Sequence, residues 1–222
     1  MQAGNAFYRK ADDIPSEVAV FPLSGALLLP GGRLPLNIFE PRYLEMIDAV
    51  MTGDRIIGLI QPALDGALRG DGEPELAETG CLGRVTSVAE TGDGRYLITL
   101  HGICRFRVVE EVKTHKPFRR CRIAAFAHDL EEDNGPDSVD RDALLKTFKS
   151  YLDANGLEAD WESIRKAENS TLVNALSMMS PYGPAEKQAL LDAPDLRTRA
   201  ETLIAITEMA LAREDDRPQS LQ

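Results

Sequence analysis

The chain has 222 residues, 43% of them hydrophobic and 27% charged, which is ordinary for a globular protein, and its net charge of −11 argues against non-specific nucleic-acid binding. Its three cysteines are an odd number without Cys-x-x-Cys spacing, so we expect free thiols and neither a disulfide framework nor a zinc ribbon. No apolar run reaches the length of a membrane span and residues 1–17 lack the apolar core of a secretory signal, so the sequence predicts a cytoplasmic protein without membrane contact.

The first part of the chain predicts strands joined by a glycine turn. Residues 1–17 show no period and are expected to be a loose lead-in. Residues 17–22 and the apolar runs 26–29 and 34–39 predict strands, with a turn at 30–32 because glycine adopts positive φ without steric cost. Pro35 lacks an N–H group for the ladder, which indicates a sheet edge or a bulge at that position.

A helix and a series of short strands follow. Proline is favoured at the first helical position, so Pro41 predicts a helix that runs to about Thr52. Residues 62–80 are rich in glycine, proline and acids and predict a long loop on the rim of a barrel. Further strands are predicted at residues 55–61, 82–91, 96–100, 106–112 and 118–128, with a tight turn at 92–94. About seven short strands with one inserted helix indicate a small barrel or sandwich.

The composition changes near residue 129. Residues 1–128 carry 16 acids and 15 bases, whereas residues 129–222 carry 20 acids and 10 bases. We therefore predict a barrel subdomain at 1–128, a polar linker at 129–138, a helical subdomain at 139–214 and a frayed tail at 215–222. Helical periodicity in the second part predicts helices at about 140–154, 161–166, 170–180, 184–191 and 196–213.

Several segments carry a family pattern: Phe21-Pro-Leu23, Leu28-Leu-Pro30-Gly31, Leu34-Pro-Leu36-x-Ile38-Phe39-Glu40-Pro41-Arg42-Tyr43, Gly83-Arg-Val85, Asp93-Gly94-Arg95-Tyr96, Gly102-x-x-Arg105-Phe106-Arg107-Val108 and Pro184-Ala-Glu186-Lys187-Gln188-x-Leu190-Leu191. Across residues 17–212 the chain resembles the N-terminal, substrate-binding domain of the Lon protease family, and the last segment is typical of stand-alone bacterial members. The resemblance implies an α+β fold, in which a PUA-like β pseudobarrel with one inserted helix is followed by a C-terminal α-helical bundle.

The resemblance implies a role in engaging unfolded or extended polypeptides, with a separate Lon-type protease as a candidate partner. A Lon ATPase needs a Gly-x-x-x-x-Gly-Lys-Ser/Thr loop to bind phosphates, and no such string occurs in this sequence. The three histidines are far apart, and no serine has a Gly-x-Ser-x-Gly setting. We therefore predict a non-catalytic module without cofactor or metal. The sequence does not favour a third class of function, a small hydrolase, because it contains no pattern of residues that would activate a nucleophile.

The candidate site is an apolar groove between the barrel, the loop at 62–80 and the first helix. Leu34, Phe39 and Tyr43 are the predicted anchors, because apolar and aromatic side chains dominate such contacts. Glu40 and Arg42 are the polar residues beside them. The structural alternative is that Glu40 complements the helix N-terminus, worth about 0.3–1 kcal/mol, while Arg42 pairs locally.

A basic island suggests a second class of ligand. Residues 101–122 hold seven lysines or arginines against two glutamates. Period-two spacing places Arg105 with Arg107, and Arg120 with Arg122, on one face of a strand each, so the four could form a stripe that binds RNA or another anion. The alternatives are a solvated sheet face or a docking face for the acidic helical half.

Overall fold

The computed structural model describes residues 1–131 and 139–215. Its strands are β1 Gln2–Ala3, β2 Ala6–Phe7, β3 Glu17–Pro22, β4 Arg33–Ile38, β5 Ile56–Pro62, β6 Leu76–Glu90, β7 Tyr96–Val112 and β8 Arg120–Ala125. Its α-helices are α1 Pro41–Met51, α2 Arg141–Ala154, α3 Trp161–Lys166, α4 Asn169–Met179, α5 Pro184–Asp192 and α6 Leu196–Asp215. Short 3₁₀ helices lie at Ala11–Asp13 and Ala127–Leu130.

The main sheet has the strand order β4-β7-β6-β5-β3-β8, and β8 pairs in addition with the second half of β7. Five strands therefore follow one another around a ring, while β4 lies outside it. In the described part of the chain, β4 pairs with β7 alone. The pair β3–β5 is parallel and the other pairs are antiparallel. With α1 inserted between β4 and β5 and five helices after the ring, the predicted α+β pseudobarrel and helical bundle are confirmed.

The apolar run at 26–29 is not a strand, contrary to the prediction. Leu28 and Leu29 are fully buried without strand pairing, and they belong to the apolar cluster between the ring and the helices. The run is apolar because it fills this space. A Cβ atom on Gly102 of β7 would overlap the carbonyl oxygen of Leu29, so the close approach of the two backbones requires glycine there.

A glycine bulge precedes β4. Gly31 has φ +77°, and its N–H group donates to the carbonyl oxygen of Gly102 over 3.0 Å. The N–H group of Gly102 in turn donates to Gly32 over 2.9 Å. Two residues of one strand thus oppose one residue of the other, which is the arrangement of a bulge with a left-handed glycine. The bulge sets the register with which β4 pairs along β7.

The helix α1 begins and ends close to the predicted limits. Glu40 is its N-cap residue, Pro41 occupies the first helical position and Thr52 is the C-cap. Its buried face carries Tyr43, Met46 and Ile47. The ring of Tyr43 lies 4.4 Å from that of Phe21 in β3, centroid to centroid, which fixes the start of the helix against the barrel.

The first 17 residues are ordered, contrary to the expected loose lead-in. Gln2 pairs with Phe7 in a short hairpin, and Ala3, Tyr8 and Ile14 are buried in an apolar cluster with residues of β5, β6 and β7. The side chain of Arg84 donates to the hydroxyl of Tyr8 over 3.2 Å. The segment lacks periodicity because single apolar residues, and not a continuous face, contact the barrel.

The barrel and the helices share one apolar cluster. Leu28 and Leu29 belong to it together with Leu144, Val173 and Leu190 of the helices. The two parts are therefore in contact through a common core, while the division predicted near residue 129 stays a prediction. Of the predicted linker, residues 129–131 are described and lie against the barrel, whereas 132–138 fall outside the described residues, as do 216–222 of the predicted tail.

Candidate functional site

The structure brings four of the five predicted polypeptide-binding residues together where β4 meets α1. Phe39 is 61% exposed, Glu40 and Arg42 are half-buried, and Tyr43 is buried. Leu34 is half-buried against the core and lies five residues earlier on β4, which places it about 17 Å away along an extended strand. Phe39 is thus the predicted anchor that solvent reaches, whereas Tyr43 packs in the core against Phe21.

Arg42 is the centre of a local network of charges. Its Nε donates to the carboxylate of Glu40 over 3.0 Å, and its Nη1 lies 3.4 Å from a carboxylate oxygen of Glu73 in the long loop. Its guanidinium group also lies 4.7 Å from the centre of the Tyr43 ring. These contacts bridge the loop and the first helix at the place where the groove was predicted. They agree with local pairing of Arg42, whereas the side chain of Glu40 forms no capping hydrogen bond at the start of α1.

The long loop is also fixed at its other side. Arg69 pairs with Asp71 over 2.8 Å and with Glu111 of β7. Arg119 pairs with the same Glu111 over 2.7 Å and donates to the carbonyl oxygen of Pro74 over 2.6 Å. These contacts tie the loop between β5 and β6 to β7 and to the segment before β8.

A small apolar surface remains exposed beside the loop. Leu97 of β7 is 48% exposed and lies opposite Asn37 of β4, so the two share the outer face of the sheet. Phe39 follows on the same face by the period of the strand, and the guanidinium group of Arg95 lies 5.9 Å from its ring. Leu97 was not singled out from the sequence, although it is an apolar residue on the polar face of an alternating strand.

Arg105 does not belong to an anion-binding stripe. Its side chain is 2% exposed and forms a bidentate pair with Asp129, with Nε–Oδ2 at 2.9 Å and Nη2–Oδ1 at 2.8 Å. It also donates to backbone carbonyl groups at the C-terminal end of α5 and just past it: Leu191 over 3.1 Å, Ala193, and Pro194 over 3.1 Å. The helical half covers the barrel at Arg105. The period-two spacing of Arg105 and Arg107 therefore indicated an exposed side chain where the structure has a buried one. For Arg105, the structure agrees with the alternative prediction that this face docks the helical half.

The other arginines of the predicted stripe have acidic or aromatic partners. Arg122 pairs with Glu17 over 3.2 Å and with Glu110, and Arg120 lies 3.9 Å from Glu17. Arg107 lies 5.9 Å from the centre of the Phe126 ring. The positive charge on this face is divided and largely neutralised, so the geometry does not support the alternative of an RNA or anion binder.

Burial and ion pairing shift the pKa values at the junction of barrel and helices. Burial alone would raise the pKa of Asp129, but the hydrogen bonds and charge of Arg105 hold the pKa below its ordinary value. Burial, together with the nearby charge of Arg105, lowers the pKa of Arg199 to about 10. Arg199 donates to the carbonyl of Leu190 over 2.9 Å, so two cations face the C-terminal end of α5, where its dipole favours positive charge.

The remaining nucleophilic and metal-binding groups are not assembled into a site. Cys81, Cys104 and Cys121 are free and buried, and burial raises the pKa of each thiol, to about 12 for Cys104 and about 11 for Cys121. Within residues 1–131 and 139–215, no three side chains of histidine, cysteine, aspartate or glutamate converge as metal ligands would. No helix in the same ranges has the length and apolarity that crossing a membrane requires.

An open cleft of about 1110 Å³ lies at the other end of β4, away from Phe39. It is lined by Gly32, Arg33, Met178 and Met179, among others, and Met179 is one of the most exposed apolar side chains. Its wall also includes Glu131 and Val139, the residues on either side of 132–138, so we assign no ligand to it.

The sequence matches the family model described as the substrate-binding domain of ATP-dependent protease La (LON) over residues 17–208. The chain therefore belongs to the Lon substrate-binding domain family. It is 25% identical to Lon protease 2 of Myxococcus xanthus over 202 residues, and 30% identical to the Lon protease of Parabacteroides distasonis over 218 residues. These alignments cover 88% and 90% of this chain, and 24% of each relative. The chain thus spans about a quarter of the length of these relatives, and the matched part is the substrate-binding domain.

Solved structures show the same fold. A Lon N-terminal domain protein from Xanthomonas campestris superposes with a TM-score of 0.61 at 22% identity, covering 86% of this chain and 98% of that one. The N-terminal domain of a Mycobacterium avium complex Lon protease superposes with a TM-score of 0.62 at 18% identity, with the same coverage. The predicted resemblance to the Lon N-terminal domain is thereby confirmed.

Proposed function

We propose that this chain is a polypeptide-binding module without catalytic chemistry of its own, which recognises unfolded or extended segments. The family match over residues 17–208 supports the class of ligand. The observation that carries the location is Phe39, an aromatic side chain left 61% exposed beside the edge of β4 that no described strand pairs with. A separate Lon-type protease is the proposed recipient of the bound segment.

Phe39 and Leu97 are the residues that contact the ligand in this proposal. Their exposed surfaces lie on the same face of the sheet, and apolar side chains of an unfolded chain would cover them. Glu40 and Arg42 form the polar rim: they pair with each other at the start of α1, and Arg42 also reaches Glu73 in the long loop. Tyr43 acts from the core by fixing α1, and Leu34 supports the strand from its inner face.

The size of the expected effect follows from the area of Phe39. Complete burial of a phenylalanine side chain is worth about 1.5–3 kcal/mol, and somewhat more than half of this side chain is free to be covered. Its truncation should therefore cost about 1–2 kcal/mol of binding free energy, or about 5–30-fold in affinity. Because the contact is apolar, the affinity should change little between low and high salt.

The test is fluorescence anisotropy of labelled casein, an unfolded polypeptide, titrated with the protein at low and high salt. Phe39→Ala should weaken saturable binding by about 5–30-fold. Phe7→Ala is the matched control, since Phe7 is 58% exposed and has Arg9 5.8 Å from its ring, but lies on the N-terminal hairpin. Equal effects of the two substitutions would refute the location, and binding that disappears at high salt would refute an apolar contact.

A second measurement addresses catalysis. The purified protein should leave casein uncut in the presence of ATP and Mg²⁺, as judged by the release of acid-soluble fragments. Cleavage that co-purifies with this chain and persists at constant specific activity would contradict a non-catalytic role. The cytoplasmic location and the lack of a nucleic-acid partner stay predictions of the sequence.

A further inference from the structure

The free edge of β4 carries a row of backbone groups without a partner in the described part of the chain. Arg33, Pro35 and Asn37 are exposed positions on this strand, and β7 is its paired neighbour on the other side. Outside the ladder with β7, no hydrogen bond to the main chain of these three residues occurs among the described residues. Unpaired N–H and C=O groups along a strand are a template for another strand.

The hydrogen bonds around β7 show which residues of β4 face outward. In an antiparallel pair, facing residues alternate between hydrogen-bonded and non-bonded pairs. The bond from Gly102 to Gly32 starts this alternation on the β4 side, which makes Leu34, Leu36 and Ile38 the residues bonded to β7.

The hydrogen bonds of the hairpin on the other side of β7 indicate the same alternation of hydrogen-bonded residues. Thr91 donates to the carbonyl oxygen of Arg95 over 2.8 Å, so Arg95, Leu97 and Thr99 direct their main-chain groups toward β6. The residues between them are left to bond β4. Proline has no N–H group to give to a ladder, and the outward position of Pro35 agrees with this phase.

We propose that an extended polypeptide segment binds as an additional strand along β4, through hydrogen bonds to the outward main-chain groups of Arg33, Pro35 and Asn37. The inference rests on the proposed function and specifies its ligand: a segment in extended conformation that is free of proline where it faces Asn37. Strand addition to a sheet edge recognises main chain, so it suits a protein that accepts segments of many sequences.

The surroundings of the edge define the pattern of the ligand. Side chains of an added strand alternate between the two faces of the sheet, so every second one continues the outer face that carries Phe39 and Leu97. Apolar residues are expected at those positions. At the opposite end, Arg33 is exposed and forms no ion pair within the described residues, so an acidic residue of the ligand complements it there.

Pro35 favours a foreign segment over a second copy of this chain. If two β4 edges paired with each other, the joined ladder would contain Pro35 twice and lose two N–H donors. A ligand without proline meets only one missing donor, and the carbonyl of Pro35 still accepts from it. Proline on an edge strand is a known protection against pairing between identical edges.

The test compares substitutions that differ in one N–H group. Asn37→Pro removes an outward donor from β4, whereas Asn37→Ala keeps it. With fluorescent casein peptides, Asn37→Pro should weaken binding about tenfold and Asn37→Ala by less than about twofold. Both variants should unfold cooperatively when thermal unfolding is followed by circular dichroism, because proline is tolerated where a strand's N–H group faces solvent.

Peptides N-methylated at every second residue give a readout that does not depend on the variants. A segment bound as a strand uses alternate N–H groups toward β4, so one methylated set should fail to bind and the complementary set should bind as the parent does. If casein binds and requires Phe39 but both sets bind alike, strand addition is refuted while the proposed function stands. If casein does not bind at all, both are refuted. Dimers that Asn37→Pro dissolves would identify a second copy as the occupant and overturn the inference.

Discussion

We expect substitution of Arg105 or Asp129 to destabilise the fold more than substitution at any other polar contact in the molecule. Their side chains are 2% and 7% exposed, so solvent screens their interaction little. Removal of one member of such a pair leaves an uncompensated buried charge and typically costs about 3–5 kcal/mol. We therefore expect Arg105→Met or Asp129→Leu to lower the free energy of unfolding by that amount, a large share of the 5–15 kcal/mol typical of a domain.

The double replacement separates the charge from the other contacts of Arg105. It leaves no buried charge, but the carbonyl groups of Leu191 and Pro194 still lose their donor, at about 1–3 kcal/mol for a buried unsatisfied group. The double variant should thus be more stable than either single variant and less stable than the parent.

Urea unfolding followed by far-UV circular dichroism at pH 7 measures these differences. Arg107→Met is the control, because Arg107 lies two residues away on the same strand and is exposed, so its replacement should change stability by less than about 0.5 kcal/mol. If Arg105→Met behaves like Arg107→Met, the buried pair does not hold the helices on the barrel and the reasoning fails.

Three further predictions concern single positions. The stability difference between the parent and Asp129→Asn should shrink in urea titrations as pH falls below about 4, since a carboxyl whose pKa is lowered by folding stabilises the fold above its unfolded pKa and loses that contribution as it protonates. Gly102→Ala should lower the melting temperature by several degrees because its Cβ meets the Leu29 carbonyl, whereas Gly92→Ala, in open space, should not. The three cysteines should react with Ellman's reagent at pH 8 only after denaturation; a thiol that reacts within minutes in the native protein would contradict their burial.

Local signals in the sequence predicted the elements of the fold well. Pro41 marked the start of α1, and the glycines at 92 and 94 marked the β6–β7 hairpin. The short helix predicted at 161–166 is capped by Asp160, whose carboxylate accepts from the N–H groups of Glu162 and Ser163 over 3.1 Å. These features depend on residues adjacent in sequence, so the sequence of one protein is sufficient to predict them.

Features that depend on distant parts of the chain could not be predicted in the same way. Arg105 looked like a surface cation because its spacing matched that of Arg107, and only the docking of α5 makes it a buried one. The run at Leu28 was apolar for the same reason, since helices that come more than a hundred residues later cover it. Phe39 was predicted as an anchor from its aromatic character, but its 61% exposure could not be predicted from the sequence.

The shared core has a consequence for how this chain can be divided or recombined. A fragment cut at the predicted boundary of residue 128 would lose Asp129 and keep Arg105, and it would uncover Leu28 and Leu29. Such a fragment should aggregate when expressed, and a chimera that joins this barrel to the helices of a distant relative should fold only if the partners across the junction are exchanged with it. The barrel and the helices are therefore expected to depend on each other for folding, although their compositions differ.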